Sequence, residues 1–355
     1  MKKLPRLKRK KQADQKPARI TNETVAEHRE RILAGGRRFK YPVQYARHRL
    51  VFNTILISIG ALVLIVLFVW WQLYPQQNSS TFFYRITKVV PLPVAVVDGE
   101  SVAYSNYLVA YRSQIHYLQV KEGLNTDNAD SKKQLEYQQR RSIDNAISDA
   151  YAAKVAREQN ISITTKQVDD ALNQQRQSRD GVASKETYDA TTLDLFNLNS
   201  QEVRGITERQ LLKQEVAYKI DSLATAQRDK VVAALAADKD KDFDKAAAAI
   251  ESDGASKILS GVEPFVPRTN RDGGRAATAA KLQKGEMSQP FKSTTGDGYY
   301  IVKLLDVDND SRVSYAYIKI SLTAFDSKVK QLHAQGKIKE YITIPEIQAQ
   351  SIPSQ

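Results

Sequence analysis

Residues 142–168 read SIDNAISDAYAAKVAREQNISITTKQV. Ile143, Ala146, Ile147, Ala150, Tyr151 and Val155 recur at intervals of three and four, the period of one buried helix face. With Leu135 added, the pattern predicts a long helix over 131–159. Asn160 is placed to stop it, because Asn tolerates the left-handed conformation that ends helices. Ile161-Ser-Ile163 reads as a short extended connector. Thr164 and, three residues on, Gln167 form a capping-box pattern that starts the next helix, with Val168 and Leu172 facing inward.

Working outward, Val89–Val97 is an apolar extended run, followed by Asp98-Gly99 and the short stretch Glu100–Tyr104. Apolar runs on either side of an Asp-Gly pair predict a hairpin. A helix with Ser105 as cap follows, and Tyr104, Tyr107, Leu108, Tyr111, Ile115 and Leu118 define its buried face. After a polar loop at 178–187, Tyr188, Leu193 and Phe196 lie on one helix. Asn199 caps another, running through Val203, Ile206, Leu211, Leu212, Val216 and Ile220.

Val51 to Tyr84 contains no charged residue, and 51–74 is almost wholly apolar, with Trp70, Trp71 and Tyr74 at its end. That length spans a bilayer core, and amphipathic rings favour the interface. Few soluble helices are apolar all round over such a length. The stretch also exceeds a signal-peptide core and no small-x-small site follows it closely, so it reads as an uncleaved anchor.

The charge confirms the asymmetry. The chain has 355 residues and a net charge of +13. Residues 1–50 hold 16 of its 53 basic side chains and four of its 40 acidic ones, which leaves 37 against 36 for the rest. A near-neutral body with a basic tail disfavours nucleic acid as a partner of the whole protein. Arg37, Arg38, Lys40, Arg47 and Arg49 flank the span on its N-terminal side. The positive-inside rule then predicts a cytoplasmic N-terminus and residues 75–355 outside. The tail sets topology and attracts anionic inner-leaflet lipids; a ribosome, nucleic-acid or translocon contact is the other reading of it.

The ordered series in 93–220 resembles the chaperone domain of SurA/PrsA-type foldases. Asn160-Ile-Ser-Ile-Thr164 is similar to that family's "G-I-x-V-T" connector, with Asn for Gly. Residues 282–304, LQKGEMSQPFKSTTGDGYYIVKL, resemble the "L-x-x-G-E-x-S-x-P" and "G-Y-x-I-x-K" motifs of parvulin prolyl isomerases. Leu235, Phe243 and Ala247, then Ser252-Asp253, Gly261 and Phe265, follow the same pattern. The resemblance implies a proline pocket near Tyr300, Tyr317, Ala280 and Met287, but a degenerate one. Tyr300 stands where the family has His, Ala280 where it has the ring-gripping Phe, and the usual first strand is absent before residue 225. Val313–Ile320 is expected to replace that strand, pairing antiparallel with Tyr299–Leu305, with Tyr317 at the other His position. Two other placements compete: Val216–Ile220 as the first strand, or 313–320 as the start of a second, truncated unit.

The expected class is α+β: one N-terminal transmembrane helix, a mostly helical chaperone-like domain and a small parvulin-like domain with an antiparallel sheet. The expected organisation is a tail at 1–50, a span at 51–74, a linker at 75–92, domains at 93–222 and 223–345, and a tail at 346–355. The implied function is a membrane-anchored extracytoplasmic chaperone for unfolded, newly exported polypeptides, with isomerase activity weak or absent. An active prolyl isomerase and an envelope adaptor are the alternatives. Tyr104, Tyr107, Tyr111 and Tyr151 are the expected client-binding side chains. The four His residues are scattered, Cys is absent, and no His-Glu-x-x-His, Gly-x-Ser-x-Gly or Walker pattern occurs, so no metal or cofactor is expected.

Overall fold

The computed structural model describes residues 20–124, 129–178, 181–250 and 257–345. The first 19 residues of the basic tail, Ser252-Asp253 and the tail at 346–355 lie outside the described residues. The chain divides into two units, Met1–Trp71 and Gln72–Gln355.

Among its described residues the first unit holds one helix, α1 (Asn22–Leu73), whose last two residues belong to the second unit. Within it, His48–Leu73 has 26 residues and a mean hydropathy of 2.7, and its apolar window is not buried. At ~1.5 Å per residue it extends about 39 Å, enough by length and composition to cross a membrane.

The second unit opens with α2 (Thr81–Val89), whose Phe83, Tyr84 and Thr87 are buried. The stretch at 75–92 therefore packs as part of the body where a linker was expected. Strands β1 (Pro93–Val97) and β2 (Glu100–Ala103) form the expected hairpin. Asp98 and Gly99 both have positive φ, at 48° and 83°, which matches the right-handed twist of the two strands. Helix α3 (Tyr104–Glu122) starts one residue before the expected cap, and Ala103 at its N-cap supplies no side-chain bond. Helix α4 (Ala129–Glu158) ends at Asn160, in the left-handed region at φ 54°. Helix α5 (Thr165–Gln175) carries the capping box of Thr164 and Gln167.

A two-stranded ribbon, β3 (Gln177–Ser178) and β4 (Gly181–Val182), leads to α6 (Lys185–Phe196) and α7 (Ser200–Ile220). Asn199 and Glu202 form a second capping box on α7, so Val216–Ile220 is helical and is not a first strand. Helices α8 (Ser222–Ala237) and α9 (Phe243–Ala248) are separated by a short segment that includes Lys239-Asp-Lys-Asp242, whose Asp242 caps α9.

The remaining elements are β5 (Ile258–Val266), α10 (Arg275–Ala279), β6 (Phe291–Lys292), β7 (Gly298–Val307), β8 (Val313–Ser321), α11 (Ala324–Ala334) and β9 (Ile338–Glu340). Four of these strands make an antiparallel sheet in the order β5-β8-β7-β6. The expected pairing of 313–320 with 299–305 is present, with Ile301 opposite Ile318 and Val302 opposite Tyr317. Strand β5, which the sequence pattern does not mark as a strand, pairs with the other edge of β8.

Strand alternation gives the sheet two buried faces. Tyr299, Ile301, Ile318 and Ile320 pack with Val231, Leu235 and Phe243 from α8 and α9. Val302, Leu304, Val313 and Tyr315 pack with Ala276 and Ala279 of α10. The chain then returns: β9 pairs with β1, Val97 opposite Ile338, and Arg140 of α4 makes a forked ion pair with Glu340.

Asp221, 1% exposed, sits at the α7–α8 junction. Its Oδ1 accepts from Ala224 N at 2.9 Å, and its Oδ2 accepts from Thr323 N at 2.8 Å and Ala324 N at 3.0 Å. One carboxylate therefore caps two helices whose starts lie about a hundred residues apart. Losing a cap costs about 1 kcal/mol, up to ~2 where it is buried. Asp221→Ala is expected to cost roughly 2–4 kcal/mol by denaturant unfolding, and Asp221→Asn, which keeps one acceptor oxygen, less. Equal losses for the two variants would show that the oxygen kept by Asn contributes nothing, so the two oxygens would not act as separate caps.

Candidate functional site

A cavity of about 870 Å³ opens between α3, α4 and α7. Helix α3 presents Asn106, Ala110 and Gln114 to it, four residues apart and therefore on one stripe. Helix α4 presents Gln138, Ser142, Asn145 and Asp149, and α7 presents Thr207, Gln210 and Gln214, at intervals of three and four that also keep to one stripe. Its far wall is the turn Thr295–Asp297, with Lys319 and with Phe325 of α11. Gly296 lets that turn lie against α7: at φ 76°, an added Cβ would come within 2.3 Å of Gln214 Cγ.

The walls are rich in amides. Amide side chains carry both a donor and an acceptor end, the complement of a peptide main chain. Gln138, 8% exposed, has a buried Oε1 with no partner among the described residues. Two of its carboxylates are paired. Asp149 lies 2.7 Å from Lys213 and 3.7 Å from Arg209. Asp297 pairs with Lys319 and accepts from Thr295 Oγ1 at 2.8 Å and Tyr300 Oη at 2.9 Å. Burial pushes its pKa up, but the bonds from Lys319, Ser293, Thr295 and Tyr300 outweigh burial and hold it well below the ordinary carboxylate range.

Behind that turn, Tyr300 and Tyr317 face the same side of the sheet, their rings edge to face with centroids 6.3 Å apart. The Arg275 guanidinium occupies the space beside them, 4.3 Å from the Tyr317 ring centre and 5.3 Å from that of Tyr300. It is held by Glu263 at 3.7 Å and donates from Nε to Asp272 O at 2.9 Å. Ala280 packs on this face. Met287 does not: it bridges to Lys303 and joins the opposite core with α8 and α9. The four expected pocket residues are thus split between two faces. Sequence reasoning missed Arg275; its place one turn before Ala279 on a short Ala-rich helix gave no signal.

The expected client-binding tyrosines are corrected by burial. Tyr104, Tyr107, Tyr111 and Tyr151 are 0%, 1%, 8% and 7% exposed. Tyr104 donates its hydroxyl to Leu73 O, Tyr107 stacks on Tyr111 at 5.9 Å, and Tyr151 packs on Phe325. These rings build the body and offer no face to a client. Burial, chiefly, pushes the Tyr111 hydroxyl up to about 12.

Residues 47–217 match the family model of the SurA-like N-terminal domain. The match takes in the series of hairpin, helices and caps described above, from the apolar span to the end of α7. It supports a SurA-type chaperone family for that part of the chain. No curated protein matches the chain. The amide-walled cavity is built from α3, α4 and α7 of this SurA-like region. Among the described residues no cluster of His, Asp and Glu is arranged to hold a metal.

Asp297 gives a pH test. Its folded-state pKa lies below the unfolded value of about 3.9, so it stabilises the fold above that pH and the contribution is lost as pH falls further. Asp297→Asn is expected to unfold at lower urea than the parent at pH 7, with the gap narrowing at pH 3. A gap that stays constant with pH would show that the carboxylate charge is not what holds the turn.

Proposed function

We propose that this protein is a membrane-anchored chaperone of the extracytoplasmic space, holding unfolded exported polypeptides by their main chain in the cavity between α3, α4 and α7. The cavity carries the reading. Its helical walls lie in the SurA-like region, it has room for several residues of extended chain, and it matches peptide groups with amides instead of selecting one side chain. Such holding needs no cofactor or energy source, because binding the unfolded chain is enough to keep it from associating. The anchor is α1, with the basic tail in the cytoplasm and the body outside, in line with the charge asymmetry about His48–Leu73.

The sheet resembles a parvulin domain that has lost its reaction. Prolyl isomerisation needs a dry apolar grip on the ring and groups that favour the twisted amide over a barrier of ~18–20 kcal/mol. Arg275 fills the place beside Tyr300 and Tyr317, Ala280 offers no ring to grip proline, and Met287 is on the other face. An envelope adaptor with one folded partner remains the reading from another class, and client breadth separates the two.

The full chain in nanodiscs is expected to slow aggregation of several unrelated unfolded proteins at near-stoichiometric ratio. Ala110→Trp, which fills the cavity, should weaken this several-fold while leaving the melting curve in place. Protection of a single folded partner only would replace the chaperone with the adaptor. Proline-limited refolding should be accelerated little or not at all; strong catalysis would mean that Arg275 leaves the pocket. For topology, Ser80→Cys in intact cells should react with an impermeant thiol reagent and Ala13→Cys should not. The reverse pattern would end the exported reading.

A further inference from the structure

Helix α2 carries two features that the chaperone reading does not use. Its inner face, Phe83, Tyr84 and Thr87, is buried. On its outer face Phe82 and Val89 are 65% and 83% exposed. Phe82, Arg85 and Val89 are spaced three and four apart and share one side of the helix. Large apolar side chains left in water beside basic ones are the composition of a helix that lies in a membrane interface.

The second feature is a cavity of about 270 Å³ between α2, α3 and the start of α7. Arg85, Lys88 and Arg112 line it, against the single carboxylate of Glu202. Glu202 is already engaged: it accepts from Tyr84 Oη at 2.6 Å, from Asn199 N at 3.1 Å and from Lys88 Nζ at 3.3 Å. Arg112 donates from Nη2 to Thr81 Oγ1 at 2.7 Å and lies over the Tyr84 ring at 4.8 Å. Its Nη1 is buried and has no partner among the described residues. Burial chiefly, and Arg85 beside it, disfavour the Arg112 charge, a cost that a bound anion would relieve. A guanidinium with a spare N–H, flanked by two more cations, is suited to phosphate oxygens.

The chain supplies the source of that phosphate. Seven residues separate the end of α1 at Leu73 from the start of α2 at Thr81. At no more than ~3.6 Å per residue, α2 lies within about 30 Å of chain from the end of the apolar span. We propose that the Arg85–Lys88–Arg112 cavity binds the phosphate of an anionic lipid in the membrane that α1 crosses, with Phe82 and Val89 entering the same leaflet. The site goes beyond the chaperone reading and rests only on that of the anchor. It would hold the body down on the membrane at a second point.

The sequence contains no Cys, so a single label can be placed cleanly. The test uses the full chain with Phe82→Cys bearing a fluorescent label, in nanodiscs that contain a quencher-bearing lipid. Quenching is expected to rise several-fold when phosphatidylglycerol replaces part of the phosphatidylcholine. It should fall several-fold in Arg85→Gln/Lys88→Gln, a pair of exposed positions whose change leaves the fold intact. A label at Lys284→Cys, on an exposed turn of the sheet half, should stay unquenched. Quenching at Phe82→Cys no greater than at Lys284→Cys overturns the lipid site. So does a rise in melting temperature with inorganic phosphate, dependent on Arg85 and Lys88, without any lipid quenching: the anion would then be a free phosphate. Alkaline carbonate reads the anchor separately. A chain that it strips from membranes loses the anchor, and the proposal with it; an integral chain with an unquenched Phe82→Cys loses the lipid site alone.

Discussion

The body beyond Gln72 depends on one buried carboxylate. Asp221 ends α7, caps α8 and receives the first two amides of the α11 segment. Those helices belong to different layers: α7 lines the main cavity, α8 covers one face of the sheet, and α11 returns to the helical half. A carboxylate at 1% exposure is costly unless its oxygens are filled, and here three backbone N–H groups fill them. Each donor is itself one of the orphan amides that every helix start leaves. Two costs thus cancel at one point, and the angle between sheet and helices is fixed there.

The same junction separates two sites of opposite character. On one side Asp297, paired with Lys319, anchors a turn that walls an amide-lined cavity. On the other, Tyr300 donates to that same Asp297 while facing Arg275. Tyr300, expected from the sequence to line a pocket, is therefore part of a structural network. Its hydroxyl is pushed up by burial and by Asp297, so it stays a donor at any physiological pH.

Local chemistry was legible in the sequence. Asp98-Gly99, Asn160 and the Thr164–Gln167 box each specify their own backbone within four residues, and each is found as read. The pairing of 299–305 with 313–320 was legible too, because both strands alternate and a short polar turn joins them. Strand β5 was not, since Gly261 and Pro264 interrupt any alternation; Gly261 is there because the Tyr317 ring lies across it, 2.9 Å from where a Cβ would be. The tyrosines of α3 misled for a related reason. Their period marks a buried face, but their hydroxyls suggested a wet one; Tyr104 satisfies its own through a backbone carbonyl of α1's last turn. The cavity had no signal at all, because its amides are spread over three helices that only the fold brings together.

The pairing of β9 with β1 has a consequence in time. Val97 and Ile338, partners in the three-stranded sheet, are separated by most of the body. A chain made from its N-terminus contains β1 long before β9 exists. Until then the hairpin keeps an open edge, and an open edge accepts any extended segment nearby. The outer edge of β1 is therefore the last edge of this sheet to be paired. The arrival of Ile338–Glu340, locked by Arg140, closes it and commits the chain to one fold.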